Sequence, residues 1–217
     1  MTPYRDILAH ALSQHRAGRL DEADIFYRAL LTERPDDPEC LNLLGAVALA
    51  KGDFERAMKL AVRALVCQPG FSPARSNLAV ALHKLGRLDE AMAQVRAALS
   101  LTPGEADCYY NFGNILRQKA CPGEAAIAQG RAVHLRPDHA KAWHALGLAR
   151  MDLGRVEDGV SAIQGAMALC PQDPYAHLAL SEALFHLGRS AEGWERYEHR
   201  HRLPHVAGLG RTWPQPV

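Results

Sequence analysis

Apolar residues recur along this chain at intervals of three, four and one, the rhythm of one helix face, and nowhere settle into the alternation of a strand. Leu41, Leu44, Ala48 and Leu49 keep that rhythm, and Leu78, Ala81, Leu82 and Leu85 repeat it. The pattern predicts helices over 4–16, 21–34, 38–51, 54–67, 72–85, 88–101, 106–119, 122–135, 140–153, 156–169, 174–187 and 190–202, with no strand.

Three further ladders run in phase with the apolar one. Pro35, Pro69, Pro103, Pro137 and Pro171 are each 34 residues apart. Gly18, Gly52, Gly86, Gly154 and Gly188 keep the same step, with Ala120 on the rung between Gly86 and Gly154. Ala23, Ala57, Ala91, Ala125, Gly159 and Gly193 form the third. The glycine falls where a first helix must stop, because it accepts the left-handed backbone of a helix C-terminus. The proline falls where a second helix cannot continue, and so marks the hand-over to the next unit. The small residue lies early in the second helix, where two backbones have to approach closely. A fixed period of this length means stacked supersecondary units, each burying its face against its neighbours.

With an aromatic residue or Leu ahead of Leu-Gly, as in Ala142 to Gly147 (AWHALG) and Tyr109 to Asn114 (YYNFGN), the spacing resembles the tetratricopeptide repeat family. The resemblance implies an all-α fold, a right-handed α-α superhelix of about six helical hairpins in which the first helix of each pair lines a concave groove. The repeats would cover 4–37, 38–71, 72–105, 106–139, 140–173 and 174–203, a solenoid over 4–203 followed by a tail at 204–217. The fourth unit departs from the pattern. Ala120, Cys121, Pro122 and Gly123 occupy its turn, so its first helix lacks the glycine stop. Pro122 suits a helix start. Gly130 sits inside the next helix and costs about 1 kcal/mol relative to Ala, which makes 122–135 the expected soft joint.

Residues two, six, nine and thirteen places into each first helix share one stripe, and the family places that stripe on the groove wall. The early units supply Leu12, Leu43, Ala46 and Ala50; the middle ones Asn77, Lys84, Asn111, Asn114 and Gln118; the last two Lys141, Tyr175, Glu182 and His186. Asn77 and Asn111 stand in equivalent places, and a carboxamide both donates and accepts, which suits it to the main chain of an extended peptide. This resembles the asparagine ladder of the protein O-GlcNAc transferase repeats at those two rungs, which Leu43, Ala145 and Ala179 break; the other reading is that the amides cap a turn or face water. A carboxylate clamp for chaperone tails would need Lys and Asn over two units. The nearest set here, Asn114, Arg117, Lys141 and His144, matches poorly.

Composition narrows the function. Net charge is +1, from 25 basic and 24 acidic residues, so no single-sign field exists to grip nucleic acid or an acidic membrane. Cys40, Cys67, Cys108, Cys121 and Cys170 include no CxxC pair and suit a reducing, cytoplasmic setting. No segment has the length of a membrane span or signal peptide. His199, His201 and His205 match no zinc spacing and read as a solvated helix end. No phosphate loop or nucleophile signature appears. The expectation is therefore a scaffold without catalytic, metal or cofactor site. Its partner is a protein or peptide held at Asn77, Lys84, Asn111, Asn114, Arg117, Gln118, Lys141 and His144, with self-association through the apolar first repeats as a further option.

Near the C-terminus, Gly193, Trp194, Tyr197, Glu198 and Arg200 resemble the GWxxYExR junction that leads into a glycosyltransferase-like domain in bacterial tetratricopeptide proteins. The alternative function this implies is a substrate-recruiting arm whose catalytic domain is absent from this chain. A capping helix explains the same residues.

Overall fold

A computed structural model describes residues 3–202. Among them twelve α-helices follow one another: α1 (Pro3–Arg16), α2 (Leu20–Glu33), α3 (Pro38–Ala50), α4 (Phe54–Cys67), α5 (Ser72–Lys84), α6 (Leu88–Leu101), α7 (Ala106–Gln118), α8 (Pro122–Leu135), α9 (Ala140–Asp152), α10 (Val156–Leu169), α11 (Pro174–His186) and α12 (Ser190–Tyr197). The all-α expectation holds, and the ends agree within one residue except at the last helix. There the chain tightens after Tyr197 into a 3₁₀ segment, Glu198–Arg202. The tail at 204–217, with His205, lies outside the described residues.

The first helices start where local chemistry satisfies their unpaired N–H groups. At α3 and α11, Asp37 and Asp173 accept from the backbone N–H of Cys40 and Tyr175 at 3.0 Å each, and Pro38 and Pro174 open the helices where no donor is needed. They stop at the glycine ladder, whose φ angles run from 72° to 79°. In the fourth turn Ala120 itself takes the left-handed conformation, at φ 57°, and the Cys121 N–H closes on the Leu116 carbonyl at 2.9 Å. The helix therefore ends on register without its glycine, and the strain sits on an alanine.

The proline rungs do more than block the second helix. The carbonyls of Pro69, Pro137 and Pro171 each accept a side-chain N–H from six residues on, from Arg75 (2.8 Å), Trp143 (2.8 Å) and His177 (2.9 Å). Turn carbonyls just beyond the second helix are thus satisfied by the following first helix.

The molecule comprises two compact units, one ending at Ile115 and one beginning at Leu116, inside α7. In the first, α1/α2, α3/α4 and α5/α6 pair as hairpins; Tyr27, Leu30, Cys40, Leu44 and Val47 form one core cluster, and Ala61, Leu78, Leu82 and Val95 belong to another. Burial pushes the Cys40 thiol up to about 12, so it behaves as a small apolar residue. Asp24, almost wholly buried, binds Arg28 and Arg56 at 2.7 Å each and ties α2 to α4. Tyr4 donates to Asp37 at 2.6 Å, fastening α1 to the start of α3.

In the second unit, α9/α10 and α11/α12 pair around Val160, Ile163, Leu180 and Leu184. The small-residue ladder is buried throughout. At Gly159 the reason is plain: a Cβ there would lie 3.0 Å from the Gly147 carbonyl, so the two backbones touch. Gly193 similarly admits the Phe185 ring, 2.6 Å from where its Cβ would be.

Candidate partner-binding surface

In the first unit the stripe asparagines are partly spent on each other's neighbours. Asn77 on α5 donates to the Asn42 side-chain oxygen on α3 at 2.7 Å, with a longer approach to its carbonyl at 3.4 Å. Asn111 on α7 reaches Ser76 on α5 at 3.5 Å. Each amide therefore looks back 35 positions, and together they stitch consecutive first helices. Asn42 keeps its NH₂ group and Asn77 its oxygen. Asn114 is half-buried and Lys84 stands exposed at the end of α5. Leu12 and Leu43 are half-buried, and Leu43 packs against the first core.

Beside this stitch lies an open recess of about 820 Å³ at the N-terminal ends of α3 and α5. Stripe residues Glu39, Leu43 and Pro73 line it, joined by Asn42, Phe71 and Asp36 from the adjoining turns and helices.

In the second unit Arg117 is committed to Asp152 on α9, its Nε donating at 2.6 Å. Gln118 and Lys141 are exposed. His144 is half-buried, and burial holds its imidazole below the ordinary range; Asp173 opposes that and Arg117 adds to it. A smaller recess of about 330 Å³ joins Arg117 to Leu148, Asp152, Glu182 and His186. The last four occupy stripe places nine and thirteen of the fifth and sixth repeats.

The C-terminal motif residues pack together. Trp194 makes edge contacts with Phe185 and Tyr197 (centroids 5.3 and 5.5 Å), and the buried Arg200 guanidinium lies 4.3 Å over Tyr197 and donates to its carbonyl and to Glu198 at 3.1 Å each. His199 stacks flat on His177 with centroids 3.5 Å apart, and His201 approaches Glu198 at 3.5 Å. Among the described residues no group of three or more His, Cys, Asp or Glu is arranged to hold a metal, and no helix is long and apolar enough to cross a membrane.

Glu39, Asn42, Leu148 and Asp152 line these recesses without standing among the expected contacts. Glu39, Leu148 and Asp152 lie on the stripe by counting alone; Asn42 lies one place off it, and only the 35-residue reach of Asn77 reveals it.

A tetratricopeptide repeat profile matches residues 48–111, and a second matches 8–73, 113–174 and 144–193. The chain belongs to the tetratricopeptide repeat family. Among its relatives is FlbA of Caulobacter vibrioides, 30% identical over 193 residues, which is 88% of this chain and 32% of FlbA. This tetratricopeptide repeat chain thus spans about a third of that relative's length. TTC0263 of Thermus thermophilus superposes with a TM-score of 0.74 at 21% identity, over 84% of this chain and 99% of that one. YrrB, a tetratricopeptide repeat protein with an unusual peptide-binding site, superposes with a TM-score of 0.61 at 16% identity, over 82% and 92%. These two likenesses concern the fold.

Proposed function

We propose that this chain is a protein-interaction module that receives an extended peptide segment along the stripe of its first helices. One observation carries the reading: in each unit taken alone, stripe residues line a recess, Glu39, Leu43 and Pro73 in one and Leu148, Asp152, Glu182 and His186 in the other. Clefts lined by mixed apolar and polar groups are where ligands gain affinity and orientation. YrrB's described peptide-binding site lends the same fold a precedent. Lys84, Gln118 and Lys141 supply exposed polar contacts, while Asn77 and Asn111 supply their remaining acceptors.

A photo-crosslinking amino acid placed at Lys84 or Glu182, and separately at Val66 or Ile127 on second helices, tests this. Adducts with partner peptides are expected from the first pair. Adducts arising from Val66 or Ile127 alone would overturn the reading. Asn77→Ala with Asn111→Ala should also weaken partner binding while the array stays folded.

The glycosyltransferase-arm alternative rests on the Gly193 to Arg200 segment. Gly193, Trp194, Tyr197 and Arg200 each pack within the final hairpin, which favours the capping explanation and leaves the interaction module as the preferred reading.

A further inference from the structure

The first-unit recess has an apolar floor and an acidic rim. Leu43, Phe71 and Pro73 supply the floor; Asp36, Asp37 and Glu39 supply the carboxylates. Two cations belong to the same rim: Arg34 lines the recess and Arg63 pairs with its Asp36. Arg34 lies over the Tyr4 ring at 4.2 Å, and Arg63 donates to the Pro35 carbonyl at 2.6 Å while reaching Asp36 only at 3.4 Å. Asp37 is occupied by the Tyr4 hydroxyl and the Cys40 N–H. Glu39 is exposed and has no hydrogen-bond or ion-pair partner among the described residues. Asn42, at the same mouth, has an NH₂ group left after accepting from Asn77.

We infer that this recess takes a peptide segment in which a lysine or arginine stands beside a bulky apolar residue. The apolar side chain covers Leu43 and Phe71, the cation meets Glu39, and Asn42 donates to the peptide main chain. A neutral segment would strip water from Glu39 without replacing it, and an acidic one would add repulsion, so charge complementarity selects a basic partner. The volume exceeds one side chain and suits a short run of residues. This inference rests on the peptide-binding reading and adds the partner's chemistry to it.

The test is selection of a displayed library of random dodecapeptides on the full chain, followed by titration of a synthetic peptide of the enriched sequence. Enriched peptides should share Lys or Arg next to Leu, Phe or Trp. Glu39→Gln should weaken the synthetic peptide by about fivefold and Glu39→Lys by more, with the melting temperature unchanged. Glu157→Gln, exposed on the second helix α10 and off the stripe, should leave its affinity alone. Peptides that crosslink to the stripe yet carry no basic residue, or that ignore Glu39→Lys, would overturn the inference while the peptide-binding reading survived. A library from which nothing is retained would overturn both.

Discussion

Two hairpins built from the same repeat positions cross in different ways. In α3/α4, Gly45 faces Ala57; in α9/α10, the corresponding Gly147 faces Gly159. A Cβ at Gly45 would meet Leu60 and the Ala57 carbonyl at 3.7 and 3.8 Å, ordinary contact distances. A Cβ at Gly147 would lie 2.5 Å from Ile163 and 3.0 Å from the Gly159 carbonyl. The same letter in the same register is thus spare room in one hairpin and the condition for closure in the other. What decides is the residue across the crossing: an alanine at 57 holds the helices apart, and a glycine at 159 lets them touch.

The largest expected effect follows directly. Gly147→Ala should lower stability by about 3 kcal/mol, because the fully buried Ile163 has nowhere to go. Gly45→Ala should be neutral or stabilise by up to about 1 kcal/mol through helix propensity. Denaturant titration of both variants decides it, and equal losses would abolish the distinction. Gly159→Ala should fall between, at about 2 kcal/mol, since the half-buried Met151 side chain that it meets can turn aside while the Gly147 carbonyl cannot.

Turns offer the converse case, a position that wants glycine and lacks it. Ala120→Gly should stabilise the fourth turn by about 1 kcal/mol by relieving the left-handed alanine. Gly130 has open space around its would-be Cβ, so Gly130→Ala should add up to about 1 kcal/mol and raise amide protection in α8. A variant α8 that exchanges as fast as before would remove the view of that helix as a soft joint.

The smallest effect is pH dependence. Burial holds the His199 imidazole below its ordinary range, assisted by His177, Arg202 and Arg196 and opposed by Glu195; burial does the same at His144 and His15. The unfolded chain then takes up protons first, near pH 6.5, so stability present above that value is lost on acidification until the folded imidazoles charge as well. Denaturation midpoints at neutral and mildly acidic pH should show the drop. His199→Phe, which keeps a ring against His177, should shrink it.

Most of the fold was legible because period, apolar rhythm and stop residues all act locally. The Gly159 and Gly193 crossings could be read for the same reason. Contacts between hairpins were less visible. Asn77 bonds a residue 35 places back rather than 34, and Asn111 repeats that reach, a step that leaves no mark on a repeat's spelling. Ala120 hid its left-handed turn, since alanine seldom adopts one. The final helix's tightening depends on His199 meeting His177 and on Arg200 folding over Tyr197, side-chain encounters that helical periodicity does not contain.

The back-reaching amide of Asn77 also bears on how such a chain can lengthen or shorten by whole copies of a hairpin. A duplicated fifth segment carries both halves of its glycine crossing with it and arrives ready to close. A duplicated third segment exchanges Asn42 for Ser76 as its partner, the longer 3.5 Å contact that Asn111 already makes. Inheritance along the array is therefore freer within a hairpin than across the seam that joins it to the one before.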